Sequence, residues 1–221
     1  MTMHAGSQNV FDTPAYSCVQ AAHYIGVPRH TLRRWVGEDG LIVTPASNAL
    51  SFNNLAEAHI IKAMRKVHKL PLQGIRRALR ELAQLRQTEH PLLDESFETD
   101  GVNLCIRDKN EVINLSQRSQ REFREFVSIY LHRIHRDDTG RVARLYPFVV
   151  ADLANEPKHI SISPTVSFGK PVLVGTGIST SVIVGRFNAR DSVADLAREY
   201  GVDATILEDA IRWEMNKGKA A

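Results

Sequence analysis

Residues 16–36, YSCVQAAHYIGVPRHTLRRWV, restrict the fold more than any other stretch of the chain. Ser17 is placed to cap a helix that runs to about Ile25, because its hydroxyl can accept from a free amide of the first turn. Gly26 then supplies a tight turn, since it alone adopts positive φ without steric cost. Pro28 suits the start of a second helix over residues 29–36, where a missing N–H costs nothing. Val19, Ala22 and Leu32 are expected to close a small core between the two helices. Two short helices joined at a glycine form a helix-turn-helix unit.

Residues 41–86 read as support for that unit. Leu41-Ile42-Val43 and Leu50-Ser51-Phe52 flank TPASNA, which predicts a short hairpin or wing. Asn53 or Asn54 is expected to cap a third helix, with Ile60, Ala63, Met64 and Val67 on one apolar face. Pro71 ends it and starts another, in which Ile75, Ala78, Leu79 and Leu82 repeat the spacing. Residues 87–101, with several acids, Pro91 and Gly101, read as a boundary.

Beyond it, Val102 to Ile106 and Val112 to Leu115 around RDKNE read as a second hairpin. A helix is expected from about Gln117 to His135, its stripe of Phe123, Phe126, Val127, Tyr130 and Ile134 serving a core or a dimer surface. In the last third, Ile160 and Ile162 alternate as in a half-buried strand, and Val172-Leu173-Val174 form a strand between turn glycines. TSVIVGRF is compatible with strand or with a short helix capped by Thr180. Residues 191–202 and 203–213 each carry a helical stripe, Val193, Leu196, Ala197 and Tyr200, then Leu207, Ala210 and Ile211. Gly201 turns the chain between them.

The predicted class is mainly α with small β elements (α+β): an N-terminal winged helix-turn-helix, a middle hairpin plus helix, and a small helix-turn-helix-like C-terminal domain. The expected divisions are a flexible 1–14, then 15–88, 89–155 and 156–221.

Charge is unevenly spread. Net charge is only +3 over 221 residues. Residues 1–90 hold 11 Lys and Arg against 6 Asp and Glu, and the remainder 17 against 19. A basic front half points to an anionic partner, most simply nucleic acid. Arg29, His30, Thr31, Arg33 and Arg34 cluster on the second helix, where arginines can reach phosphate or pair with guanine. Lys62, Arg65, Lys66 and Lys69 on the third helix are candidates for backbone contacts, which position without specifying sequence. Trp35 is expected in the core.

Other chemistries find little footing. No apolar run approaches the roughly 18 residues of a membrane span, and no signal peptide is visible, so a cytoplasmic protein is expected. Cys18 and Cys105 cannot make a disulfide framework or a four-cysteine metal site, and read as buried reduced thiols. FGKPVLVGTG fails as a phosphate loop, because Lys170 precedes Pro171 instead of Ser or Thr. His132 and His135 have no third ligand at metal spacing. No nucleophile stands beside a base. Neither an enzyme nor a cofactor is therefore expected.

Two resemblances sharpen this reading. Residues 15–86 resemble the DNA-binding domain of MerR-type regulators, without a cysteine cluster for metal sensing. Residues 158–214 are similar to a domain of unknown function found in bacterial antitoxins, through Ile160 to Ile162, Gly169-Lys170-Pro171-Val172, Gly175 to Ile178 and the helix pair of 193–213. Gly177 stands where that family often has Arg. The order of the two resembles VapB-type antitoxins.

The resemblance implies a type II antitoxin that neutralises a PIN-like ribonuclease toxin and binds operator DNA to repress its own operon. A homodimer is expected separately, because one short recognition helix reads too few bases alone. Arg141, Arg144, Arg186 and Arg190 are candidates to reach the toxin's acidic site, because they lie in or beside the C-terminal part. The alternative is a one-component regulator responding to a small molecule, for which a pocket within residues 91–155 would speak.

Overall fold

The computed structural model describes residues 9–37, 40–46, 49–68, 72–98, 100–113, 117–149 and 156–216. Its centre is a long buried helix. Strand β1 (Tyr16–Ser17) leads into α1 (Cys18–Ile25), α2 (Arg29–Arg33), β2 (Ala49–Leu50) and α3 (Phe52–His68). Leu55, Ala56, Ala58, Ile60, Ile61, Ala63 and Met64 are all fully covered. A helix apolar around most of its girth must be enclosed by its neighbours, and α3 is, by α1 on one side and α6 (Gln117–Leu131) on the other.

The start of α3 differs from the sequence expectation. Ser51, not Asn53 or Asn54, is its cap: Asn54 donates its N–H to the Ser51 hydroxyl at 3.1 Å, and the Asn54 side-chain carbonyl accepts from Ser51 N at 3.2 Å. This is a reciprocal capping box with Asn in the role usually held by Glu or Gln.

The expected wing hairpin also gives way. Leu50 pairs with Tyr16, and Ala49 with Ser17, in an antiparallel β1–β2 ribbon. Ile42 instead makes an isolated parallel bridge to Val36. The strand before the first helix thus clamps the segment before the third, a long-range pairing with no local turn signal.

Helix α4 (Leu72–Arg86) buries Ile75, Ala78, Leu79 and Leu82, as its spacing predicts. Two 3-10 turns follow, Pro91–Leu93 and Glu95–Glu98. Leu92, Leu93 and Phe97 enter the same core cluster as the helix-turn-helix residues, and that cluster continues as far as Ile162. The second hairpin expected from residue 102 is in fact helix α5 (Asp100–Ile113). Val102, Cys105 and Ile106 are buried at i, i+3 and i+4, which is a helical face.

Helix α6 stops at Leu131, short of the expected His135. Its stripe of Phe123, Val127 and Tyr130 packs inside the chain, so it is not a free dimer surface. The chain then forms a hairpin where the sequence predicts more helix, β3 (Ile134–Arg136) with β4 (Val142–Leu145). Asp137 closes its turn, accepting from Thr139 N at 3.0 Å and Arg141 N at 3.1 Å.

The last unit comprises β5 (Ile160–Ser161), β6 (Val172–Leu173), α7 (Thr180–Asn188), α8 (Val193–Tyr200) and α9 (Ala204–Met215). TSVIVGRF is therefore helical, but its cap position is Ser179. Thr180 lies buried instead and donates to Glu214 at 2.6 Å. Leu173, Ile183, Leu196, Leu207, Ala210 and Ile211 form a separate small core.

Among the described residues, backbone, aromatic and close-packing contacts fasten this unit to the rest. Leu145 and Ile162 exchange backbone hydrogen bonds at 2.9 and 2.8 Å. The Trp213 ring lies 5.0 Å from His23 and 5.8 Å from Tyr24 in α1. Gly169 presses on Tyr16 so closely that a Cβ there would lie 2.4 Å from the phenol oxygen.

Candidate nucleic-acid interface

The helix-turn-helix is assembled as its residues require. Ser17 accepts from Gln20 N at 3.2 Å and the Gln20 side chain accepts from Ser17 N at 3.0 Å, a full capping box at the start of α1. Gly26 ends the helix with φ 65°, and its N–H reaches Ala22 and His23 carbonyls. Pro28 starts α2. Ala22, Val27, Leu32 and Trp35 seal the space between the helices, while Val19, expected there, is 52% exposed.

Lys62 fixes the whole unit on α3. Its Nζ donates to the Ile25 carbonyl at 2.7 Å and sits 3.2 Å from where a Cβ on Gly26 would be. An ammonium on the last carbonyls of a helix also faces the negative end of its dipole. Lys62, one of the expected phosphate contacts, thus serves inside the fold. Arg65, one turn on, is half-buried, and the Lys66 and Lys69 side chains lie outside the described residues.

The outward face of α2 is different. Arg29, His30, Arg33 and Arg34 are exposed and Thr31 is half-buried, opposite the inward Leu32 and Trp35. Arg29 with Arg33, and His30 with Arg34, are four apart and share a side of the helix. None of the three arginines has a hydrogen-bond or ion-pair partner among the described residues. Elsewhere many arginines are engaged: Arg86 with Asp100, Arg186 with Asp191 and Glu199, Arg198 with Asp195, Arg212 with Asp209. A cluster of uncommitted guanidiniums on a short surface helix is what phosphate and base-edge contacts require.

The four arginines considered for a protein partner lie on two separate elements. Arg141 donates Nε and Nη2 to one oxygen, Oδ2, of Asp137 at 3.0 and 2.8 Å, and stacks 4.3 Å above the Phe11 ring. Arg144 is half-buried on β4. Arg186 is held at the end of α7 by two carboxylates and the Tyr200 hydroxyl, and the carboxylates raise its pKa further. Arg190 is exposed, with φ 76°. Of the four, Arg144 and Arg190 have no side-chain partner among the described residues.

Beside the helix-turn-helix lies a half-buried charge that the sequence does not announce. His90 places Nε2 2.9 Å from Asp12 and Nδ1 3.2 Å from Glu57, whose carboxylate is almost wholly covered. Asn54 donates to the same Glu57 at 3.1 Å, and Asn53 to Asp12 at 2.7 Å. Burial alone lowers the imidazole pKa, but the two carboxylates outweigh it and raise it to about 9. In the sequence this residue is visible only as a lone His in a polar linker.

Among the described residues, no group of three His, Cys, Asp or Glu is gathered to hold a metal, and no helix is long and apolar enough to cross a membrane. Cys18 and Cys105 are both buried and free of disulfides.

Fold and site together are those of a helix-turn-helix protein with an added C-terminal helical unit. Residues 16–82 match the family of MerR HTH regulatory proteins, and residues 160–213 match DUF433, a family of proteins of unknown function. Over most of its length the chain is similar to a Mycobacterium tuberculosis protein named "Putative antitoxin VapB45". The two are 28% identical, over 94% of this chain and 98% of that one. A second relative from that organism, the uncharacterized protein Rv2308, is 24% identical over 92% of this chain and 91% of its own. The crystal structure of Rv2018 from Mycobacterium tuberculosis superposes with a TM-score of 0.73. It is 25% identical and covers 92% of this chain and 100% of its own.

Proposed function

We propose that the protein is the antitoxin of a type II toxin–antitoxin pair, which neutralises a PIN-like ribonuclease and binds operator DNA to repress its own operon. The uncommitted arginines on α2, in a MerR-type unit joined to an antitoxin-like C-terminal domain, carry this reading. Arg29, His30, Thr31, Arg33 and Arg34 face the DNA. Arg65 contributes from α3 through the phosphate backbone. The protein acts as a homodimer, because one five-residue recognition helix reads too few bases alone.

Arg144 and Arg190, without a side-chain partner among the described residues, approach the toxin's acidic metal site by charge-assisted hydrogen bonds to its carboxylates. Co-expression with the neighbouring ribonuclease gene tests this. Growth restored by the wild type and lost with Arg144→Ala or Arg190→Ala supports the reading. Toxicity that the wild type fails to relieve overturns it.

A second reading has one observation in its favour. A hollow of about 580 Å³ lies between the end of α4, the first 3-10 turns and the β3–β4 turn. Arg86, Asp94, Ser96, Arg136, Thr139 and Arg141 line it, as a polar ligand of a one-component regulator would need. Thermal-shift screening against small carboxylates and phosphates distinguishes the two. A stabilising ligand that also changes operator affinity favours the regulator.

A further inference from the structure

Phe168 is 95% exposed, the most solvent-facing large apolar side chain among the described residues. It does not get there by floppiness. Ser167, Phe168 and Gly169 have φ of 47°, 54° and 77°, three consecutive residues in the left-handed region. Two of them bear a Cβ and resist that conformation. The loop is pinned on both sides: the Ser167 hydroxyl donates to the Gly177 carbonyl at 3.0 Å, and Gly169 is jammed against Tyr16. Strain of this kind persists where surrounding structure enforces it and clusters at functional positions. Here it turns an aromatic ring fully into water.

The same unit carries a fitting recess. A hollow of about 490 Å³ opens between α7, α8 and α9, walled by Phe187, Val193, Ile211 and Met215 and rimmed by Glu208 and Arg212. Met215 is 64% exposed along it. Charge matches shape. Lys170, two residues from Phe168, is exposed and has no side-chain partner among the described residues. Glu208 on the rim is likewise exposed and unpaired among them, whereas Arg212 is already engaged by Asp209.

We propose that two copies of the chain associate through their C-terminal units, Phe168 of one protomer entering the α7–α9 hollow of the other while Lys170 meets Glu208. This rests on the homodimer proposed above and names its surface. In a two-fold pair each of these contacts is made twice. A phenyl ring covers about 150–250 Å², so two such contacts stay below the size of a stable interface and correspond to a weak, transient pair. A dimer that dissociates in the micromolar range is expected, tightened when both protomers sit on one operator.

Sedimentation velocity over a concentration series tests this on the full chain, with operator gel shifts in parallel. Phe168→Ala, whose side chain supports nothing in the fold, is expected to weaken dimerisation at least about tenfold. Lys170→Glu and Glu208→Lys are each expected to weaken it, and the two together to restore it. A Phe168→Ala protein that dimerises like the wild type overturns the surface while leaving the dimer intact. A wild type that stays monomeric at about 100 µM overturns both, and leaves Phe168 to a different protein.

Discussion

At the scale of single residues, the exposed guanidiniums of α2 and the paired imidazole of His90 are opposite uses of positive charge. Arg33→Ala and Arg34→Ala are expected to weaken operator binding and to lower the salt slope of log K by about one each. Equal slopes in mutant and wild type, measured by fluorescence anisotropy from low to high salt, would take those side chains off the DNA. His90 has a folded pKa of about 9 against an ordinary 6.5. The raised value means that its pairing with Asp12 and Glu57 stabilises fully below pH 6.5. That stability is then lost as pH rises through 9. The amount is on the order of 3 kcal/mol. Urea titrations at pH 6 and pH 9.5 should show that loss in the wild type and little of it in His90→Gln. Gly26 is a smaller case. Alanine there must hold φ 65° and crowd the Lys62 ammonium, and a cost of about 1–2 kcal/mol is expected by the same titration.

At the scale of elements, Arg133 between α6 and β3 organises more backbone than any strand does. Its guanidinium is buried and donates to the carbonyls of Tyr146, Pro147, Glu156 and Pro157, with Phe148 4.7 Å beneath it. Glu156 lies 3.9 Å away and its carboxylate accepts from Val149 N. Arg133→Met strands that carboxylate and four carbonyls, and a loss of about 3–5 kcal/mol is expected on denaturation. In the sequence Arg133 looks like no more than a surface companion of two histidines. The chain is legible where punctuation and period agree: Ser17, Gly26 and Pro28 delimit α1 and α2, and the stripe of α4 is buried as spaced. It is illegible where β-branched residues mask a helical period. Val102, Cys105 and Ile106 read as strand by composition, but their spacing is a helix face. The same holds at residues 134–145, where DDTG between two short strands is a hairpin signal overrun by the stripe of α6. The β1–β2 pairing and the His90 cluster join residues far apart in sequence, and no local pattern records such partnerships.

At the scale of the molecule, the helix-turn-helix is not a free-standing module. One apolar cluster runs from Phe11 to Ile162, and the C-terminal unit joins it through the Leu145–Ile162 bridge and the Trp213 stack. Trp213→Ala removes a ring that is almost fully covered, at a cost of about 3–5 kcal/mol. Calorimetry should show one transition for the wild type and two for the mutant, with the C-terminal unit melting separately. A single undivided transition in the mutant would mean that the bridge suffices. The Trp213 stack also ties opposite ends of the chain together. The indole on α9 forms part of the ceiling over His23 and Tyr24, which lie just ahead of the turn that aims the recognition helix. A shortened chain ending ahead of α9 would keep every exposed arginine of α2 yet leave α1 roofless. Whatever grips or frays the final helix is therefore felt first near the other end of the sequence, where the chain begins to read DNA.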